Sequence, residues 1–277
     1  MVVQERSRGN RFLFYLALWA TLVLILFPVY WMGVSALRTA GRFETTGLIP
    51  TSASLDALIS VYRDRDIGSW LLNSTIVAGA TALLSALISI NAGYAIARYR
   101  SWVTGSFGLL ILFTQMLPAT LLVIPLFVIM RDLQLLNTLG ALILANTAFA
   151  LPLSIWLMAG FFDAVPKDLE EAAQVDGCSR LIAFYRVTLR LAFPGLVVVT
   201  VFAFLLGWND YFFARAFISS DDKWVLAIGL TSFLGEFTVD WPELMAASVI
   251  FTIPAVLVFR VVQRHLVSGL TSGAVKG

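Results

Sequence analysis

Leu169-Glu-Glu-Ala-Ala-Gln-Val-Asp-Gly177 is a polar, helix-forming stretch set between two long apolar runs, and its reading decides what the chain around it is. Pro166 suits a first helical position, where its missing N–H would be unsatisfied anyway, and Asp168, Glu170 and Glu171 complement the positive end of the helix it starts. The spacing predicts a short helix to about Asp176, stopped by Gly177 in the left-handed region that other residues reach only at a cost. Ser179 then caps a second helix through Arg190, with Leu181, Phe184, Tyr185 and Thr188 at helical spacing and Arg186 and Arg190 on another face. Residues 163–190 therefore form a helix-turn-helix elbow. Patterning alone leaves two readings open: an amphipathic connector at a lipid interface, or a docking surface for another protein. Ala172 and Ala173 beside Glu170 and Glu171 bury little lipid area and permit close approach, which suits a basic protein partner.

Working outward, 59% of the 277 residues are hydrophobic and 13% charged, with a mean hydropathy of +0.87. That is more apolar surface than one soluble core hides, so the chain is read as an integral membrane protein. A helical span needs about 20 mostly apolar residues. Six such runs are expected: Phe12–Met32, Trp70–Ile96, Ser106–Met130, Leu139–Phe162, Leu191–Phe213 and Leu244–Val262. The first follows Arg6, Arg8 and Arg11 like a signal peptide but is too long for one, and is read as a retained anchor. Residues 1–69 hold the N-tail, first span and an external segment, residues 70–262 a five-helix core with the elbow, and residues 263–277 a C-terminal tail. The N-tail, the Arg98–Gly105 turn, the elbow and the C-terminal end concentrate the Lys and Arg, which places both termini and the elbow in the cytoplasm.

One cysteine, Cys178, excludes an internal disulfide, and one histidine, His265, leaves no Cys/His cluster for a metal. Lys167, Lys223 and Lys276 are not followed by Ser or Thr, so the chain has no phosphate-binding Gly-x-x-x-x-Gly-Lys-[Ser/Thr] loop. If ATP drives it, a partner binds the nucleotide. No basic patch interleaved with aromatics points to nucleic acid.

Glu171-Ala-Ala-Gln-Val-Asp-Gly177, followed by Phe184, Val187 and Pro194, resembles the cytoplasmic Glu-Ala-Ala loop of the permease subunits of bacterial ABC importers. Ala92-Gly-Tyr-Ala-Ile-Ala-Arg98, Ile124-Pro-Leu-Phe127, Leu136-Asn-Thr138, Leu151-Pro152 with Trp156, and Trp208-Asn-Asp-Tyr211 resemble its carbohydrate-importer branch. The ending Gly269-Leu-Thr-Ser-Gly-Ala-Val-Lys-Gly277 is similar to the tail of the maltose- and trehalose-type second permease. The resemblance implies an all-α fold of six transmembrane helices, the type I ABC importer permease fold. It also implies four kinds of partner: a second, different permease, an ATPase dimer holding ATP and Mg, an external solute-binding protein, and a sugar. On this resemblance Glu170, Glu171, Ala172, Ala173, Asp176 and Gly177 form the ATPase-coupling surface, with Glu171 paired to a basic residue, and Gly269, Thr271, Ser272, Gly273 and Lys276 reach the ATPase interface. The chain itself is then not an enzyme. One departure stands out: the family has Leu-Pro where this chain has Leu189-Arg190, which predicts a second helix running on towards Pro194.

Polar side chains in hydrocarbon usually face other helices or a water-filled cavity. Asn91, Gln115, Asn146, Asn209 and Asp210, with the ring of Trp208, outline an uncharged hydrogen-bonding path suited to a sugar; each alone fits interhelical bonding as well. Prolines 118, 125, 152, 194 and 254 are expected to bend their helices. Other classes fit less well. A passive channel has no use for a docking elbow, a membrane enzyme needs more than His265 and Cys178, and a glycerol-phosphate importer needs cavity arginines that the sequence does not obviously supply.

Overall fold

The computed structural model describes residues 8–38, 53–99, 101–235 and 239–273, the side chains of residues 8–10, 103, 112 and 264–273 excepted. Among the described residues regular structure is helical, and Leu234 and Val239 form an isolated bridge. Four helices are each long and apolar enough to cross a membrane: α1 (Arg8–Ala36), α3 (Ile67–Arg98), α6 (Leu139–Asp163) and α13 (Trp241–Gly273). The short α2 (Asp56–Asp64) precedes α3, and the short α12 (Leu226–Thr231) precedes α13 in the chain.

The third and fifth expected spans are divided. Ser106–Met130 is not one helix but α4 (Trp102–Thr114) and α5 (Ala119–Asp132), parted at Gln115–Pro118. Pro118 has no N–H to continue α4 and stands in extended backbone as the N-cap of α5. Gln115 closes the break by donating from Nε2 to the Phe149 carbonyl of α6 at 3.0 Å. The fifth run becomes α10 (Phe193–Trp208) and α11 (Phe212–Phe217), with Asn209–Tyr211 between them. Pro125, Pro152 and Pro254 lie inside helices that continue through them, whereas Pro194 opens α10, where a missing N–H costs nothing.

The chain divides into two compact units. In the first, formed by residues 1–66 and 232–252, Ala57 and Val61 bury one face of α2, Ser60 donates to the Glu243 carboxylate, and the Arg65 guanidinium lies 5.1 Å from the Phe233 ring centre. In the second, α3, α6 and α10 pack on one another through small residues. Ala82, Ala150 and Ala203 meet in one layer. A Cβ built at Gly207 would stand 3.2 Å from Ala78 Cα, and one at Gly93 only 2.8 Å from Met158 Cβ and 2.9 Å from the Ala159 nitrogen. Lipid tails are as apolar as leucine, so helices in a membrane associate through such close backbone approach rather than through hydrophobic driving force.

Gly93 faces backbone that cannot yield, while Gly79 on the same helix faces open space. Gly93→Ala should therefore lower stability by about 1–3 kcal/mol through overpacking, and Gly79→Ala should leave it unchanged or slightly raised. Thermal unfolding midpoints of the detergent-solubilised protein check the contrast; equal midpoints would refute the close crossing.

Candidate functional site

The elbow folds as its sequence dictates locally. α7 (Lys167–Val175) starts after Pro166, which is the N-cap rather than the first helical residue. Asp176 is the C-cap and Gly177 adopts φ +89°. The Gly177 N–H donates to the Gln174 carbonyl and the Cys178 N–H to the Ala173 carbonyl, each at 3.0 Å, the paired bonds of a Schellman stop. Ser179 Oγ accepts from the Ile182 N–H at 3.4 Å and opens the second arm. That arm comprises α8 (Arg180–Ala183), a π-helical turn over Phe184–Thr188, and α9 (Leu189–Leu191). It bends 73° into α10. The bend falls at Ala192, so Arg190 is helical and exposed, and the second arm extends beyond Leu189 before the turn.

Two adjacent glutamates of α7 have opposite surroundings. Glu170 is 5% exposed and Glu171 is exposed. The Glu170 carboxylate accepts from the Tyr94 hydroxyl, from Arg98 Nε at 3.2 Å and from Thr188 Oγ1 at 3.0 Å. Arg98 also donates to the Val165 carbonyl at 3.2 Å, so one guanidinium ties the end of α3 to α7 and to the chain leaving α6. The π-helical turn places Thr188 on this carboxylate, an instance of π geometry at a working position. Burial alone pushes the Glu170 carboxyl up. The hydrogen bonds from Tyr94, Thr188 and Arg98, with the Arg98 charge, outweigh it and hold the carboxyl below its ordinary value. Beneath the carboxylate, Tyr94, Phe162 and Phe184 pack as an aromatic trio, Tyr94 and Phe184 with ring centres 4.3 Å apart. Arg180 adds a guanidinium 4.9 Å from the Tyr99 ring centre.

The opposite face of α7 carries Leu169, Glu171, Ala172 and the 88% exposed Val175, and Asp176 is exposed at its end. Ala173 is half-buried. Sequence reading grouped Glu170 with this outward surface; the structure turns it inward and supplies Tyr94, Arg98 and Thr188 as its partners. The one sequence signal for them was Tyr94 and Arg98 standing four residues apart, on one helix face.

The proposed path residues separate in the same way. Asn146, buried in α6, donates from Nδ2 to Asp210 Oδ2 at 2.9 Å and to the Leu142 carbonyl at 3.0 Å. Asp210 Oδ1 accepts from the Phe213 N–H at 3.1 Å, so this pair fixes the corner between α10 and α11. Trp208 is 1% exposed and stacks on Phe204. Asn91 and Asn209 are exposed, each donating to a carbonyl four residues earlier in its own helix. Gly269, Thr271, Ser272 and Gly273 lie on the helical backbone of α13 with side chains outside the described residues, and Lys276 lies outside them altogether. No group of three or more His, Cys, Asp or Glu suited to a metal occurs among the described residues.

Residues 86–272 match the family model described as binding-protein-dependent transport system inner membrane component. The chain is 34% identical to the sulfoquinovosyl glycerol transport system permease protein of Agrobacterium fabrum, covering 93% of this chain and 92% of that one. It is 36% identical to a diacetylchitobiose uptake system permease protein of Streptomyces coelicolor, over 91% and 92%. It is 34% identical to the trehalose transport system permease protein of Mycobacterium tuberculosis, over 97% and 100%. Among solved structures, a chain of a bacterial ABC transporter that imports alginate superposes with a TM-score of 0.81 at 23% identity, over 94% of this chain and 98% of that one.

Replacing Glu170 by Gln leaves Arg98 buried without its counter-charge and should cost on the order of 3 kcal/mol. Arg98→Gln should cost a similar amount, and the double variant little more than either alone; additive losses in thermal unfolding would separate the two residues. A carboxyl lowered by folding stabilises fully above its ordinary range. Its contribution should be lost only as pH falls through the lowered folded value.

Proposed function

Since this chain belongs to the family of binding-protein-dependent transport system inner membrane components, we propose that it forms half of the translocation path of an ATP-driven sugar importer, with a disaccharide of the trehalose or maltose kind favoured. The observation that carries the coupling role is the two-faced α7. Glu170 fastens it inward to α3 and the second arm, while Leu169, Glu171, Ala172 and Val175 remain outward. An acid among small and apolar side chains suits a cleft with a basic residue, and Glu171 is the contact.

In this reading a second, different permease completes the path, two ATPase subunits bind ATP and Mg, and a solute-binding protein delivers the sugar from outside. Both termini face the cytoplasm, and the tail from Gly269 to Lys276 reaches the ATPase interface. The chain binds no nucleotide: closure of the ATPase pair displaces the elbow, and the elbow moves the helices that line the path. Asn91 and Asn209 are the path residues whose side chains are exposed, and the Asn146–Asp210 pair positions the outer corner of α10. The relatives whose names state a substrate handle saccharides or glycosides of several kinds, which supports the sugar class. A glycerol phosphate is the alternative cargo.

Glu171→Lys should weaken ATPase assembly at least tenfold and abolish hydrolysis stimulated by the binding protein, as read in the reconstituted complex. Unchanged assembly and stimulation would sink the docking assignment. Because Glu171 is exposed, this variant should keep the wild-type unfolding midpoint, which distinguishes it from Glu170→Gln.

A further inference from the structure

We propose that Arg215, with Tyr211 and Thr120, forms an anion-recognising subsite in the outer half of the path and that the cargo is an acidic saccharide. The inference rests on the importer reading and replaces the neutral disaccharide favoured there by an acidic one. The structure places Arg215 on α11, a helix packed against α5 and α6. Phe213, Ala214 and Phe217 are buried, and Phe213 meets the Phe149 ring of α6 while Phe217 meets the Phe127 ring of α5. The Phe217 carbonyl accepts from the Asn137 N–H at 2.8 Å, beside the start of α6. Phe149 lies ten residues along α6 from Leu139, which is about 15 Å of helix. Arg215 stands between these two levels, alongside the first half of α6, a helix long and apolar enough to cross a hydrocarbon layer about 30 Å thick.

The side chain points away from the packed face. Arg215 is exposed, and among the described residues its guanidinium has no ion pair or hydrogen bond. Asp210, the nearest acid in sequence, is engaged with Asn146 and the Phe213 N–H. A guanidinium facing lipid is expensive, so an unpaired one at this depth calls for a water-filled cavity and an anion. An open recess of about 310 Å³ lies between α5 and α11, its mainly apolar lining of Val123, Ile124, Phe212 and Ala216 joined by Thr120, Tyr211 and Arg215. Its volume is at the lower end of small-molecule sites, about 300 Å³. The planar fork of an arginine matches a carboxylate or sulfonate with two parallel hydrogen bonds. The Tyr211 and Thr120 hydroxyls serve sugar hydroxyls, and the rings of Tyr211 and Phe212 serve the C–H faces. A neutral sugar leaves the guanidinium's charge uncompensated, so the subsite discriminates between the two.

The test is uptake by the complete importer in proteoliposomes, with its binding protein and ATPase subunits, of a disaccharide carrying a glucuronic acid and of trehalose. The wild type should move the acidic sugar. Arg215→Gln should slow that uptake at least tenfold while changing trehalose uptake less than twofold, and Arg215→Lys should restore part of it. Equal losses for both sugars would overturn the subsite, as would rescue of Arg215→Glu by a reversed charge in the second permease, which would mark an interface ion pair. Transport of trehalose with no acidic uptake by the wild type would also overturn it while leaving the importer reading intact. ATP hydrolysis stimulated by neither sugar would remove both.

Discussion

The carboxylate of Glu170 is the constraint on which the elbow end of the protein depends. Three side chains from two elements reach it: Tyr94 and Arg98 from α3, and Thr188 from the second arm of the elbow. A buried carboxylate is costly unless its lone pairs are filled, and here three donors and one full positive charge fill them. The arrangement is cooperative for that reason. Losing any one donor leaves the remaining charge poorly compensated, so the elbow is held in one orientation rather than a range of them. Glu171 is thereby held facing out from α7, because the residue before it is fixed inward.

The membrane part is built differently, by shape. α3, α6 and α10 bury Ala, Ser, Thr and Gly where they cross, and the closeness of the crossings leaves no room for larger side chains. Packing of this kind transmits displacement well, because a helix in contact with the backbone of its neighbour has no flexible side chains to absorb a shift. Among the described residues the bundle ties down Asn146 Nδ2 and Asp210, while the hydroxyls of Thr81, Ser85 and Thr147 lie buried in α3 and α6 without a hydrogen-bond partner.

What the sequence made legible was local. The Gly177 stop and the Ser179 cap follow from single residues with one conformational preference each, and the structure reproduces them. Long apolar runs located α1, α3, α6 and α13. The third span defeated hydropathy because an average over residues 106–130 does not register that Pro118 lacks an N–H. The Glu170 clamp was hidden for a different reason: Glu170 and Arg98 are 72 residues apart, and two adjacent glutamates look alike until the fold turns one of them inward. The expected fifth run ended at Phe213, whereas helix resumes after the Trp208-Asn-Asp corner as α11 and carries on to Phe217.

The departure from the family pattern at Arg190 bears on how the elbow meets the membrane helices. The second arm stays helical through Leu191 and turns by 73° at Ala192, whose N–H donates to Thr188 and whose carbonyl accepts from Gly195 and Leu196. The bend is therefore hydrogen-bonded on both sides. Pro194, in the first turn of α10, has no N–H for that turn to satisfy and fixes where α10 begins rather than where the arm ends. A displacement of α7 has two routes onward. Through Glu170 it reaches Tyr94, next to Gly93, whose backbone lies against Met158 and Ala159; through Ala192 it reaches Gly195, where a Cβ would stand 2.7 Å from Phe161 Cβ. Residues 158–161 are a single turn of α6. Both routes end there, so α7 cannot move as a rigid lever without loading that turn, and α6 also carries Asn146, which holds the corner between α10 and α11 through Asp210. One continuous helix thus joins the Glu170 clamp at one end of the bundle to the Asn146–Asp210 pair towards the other, so a displacement of the elbow is carried along α6.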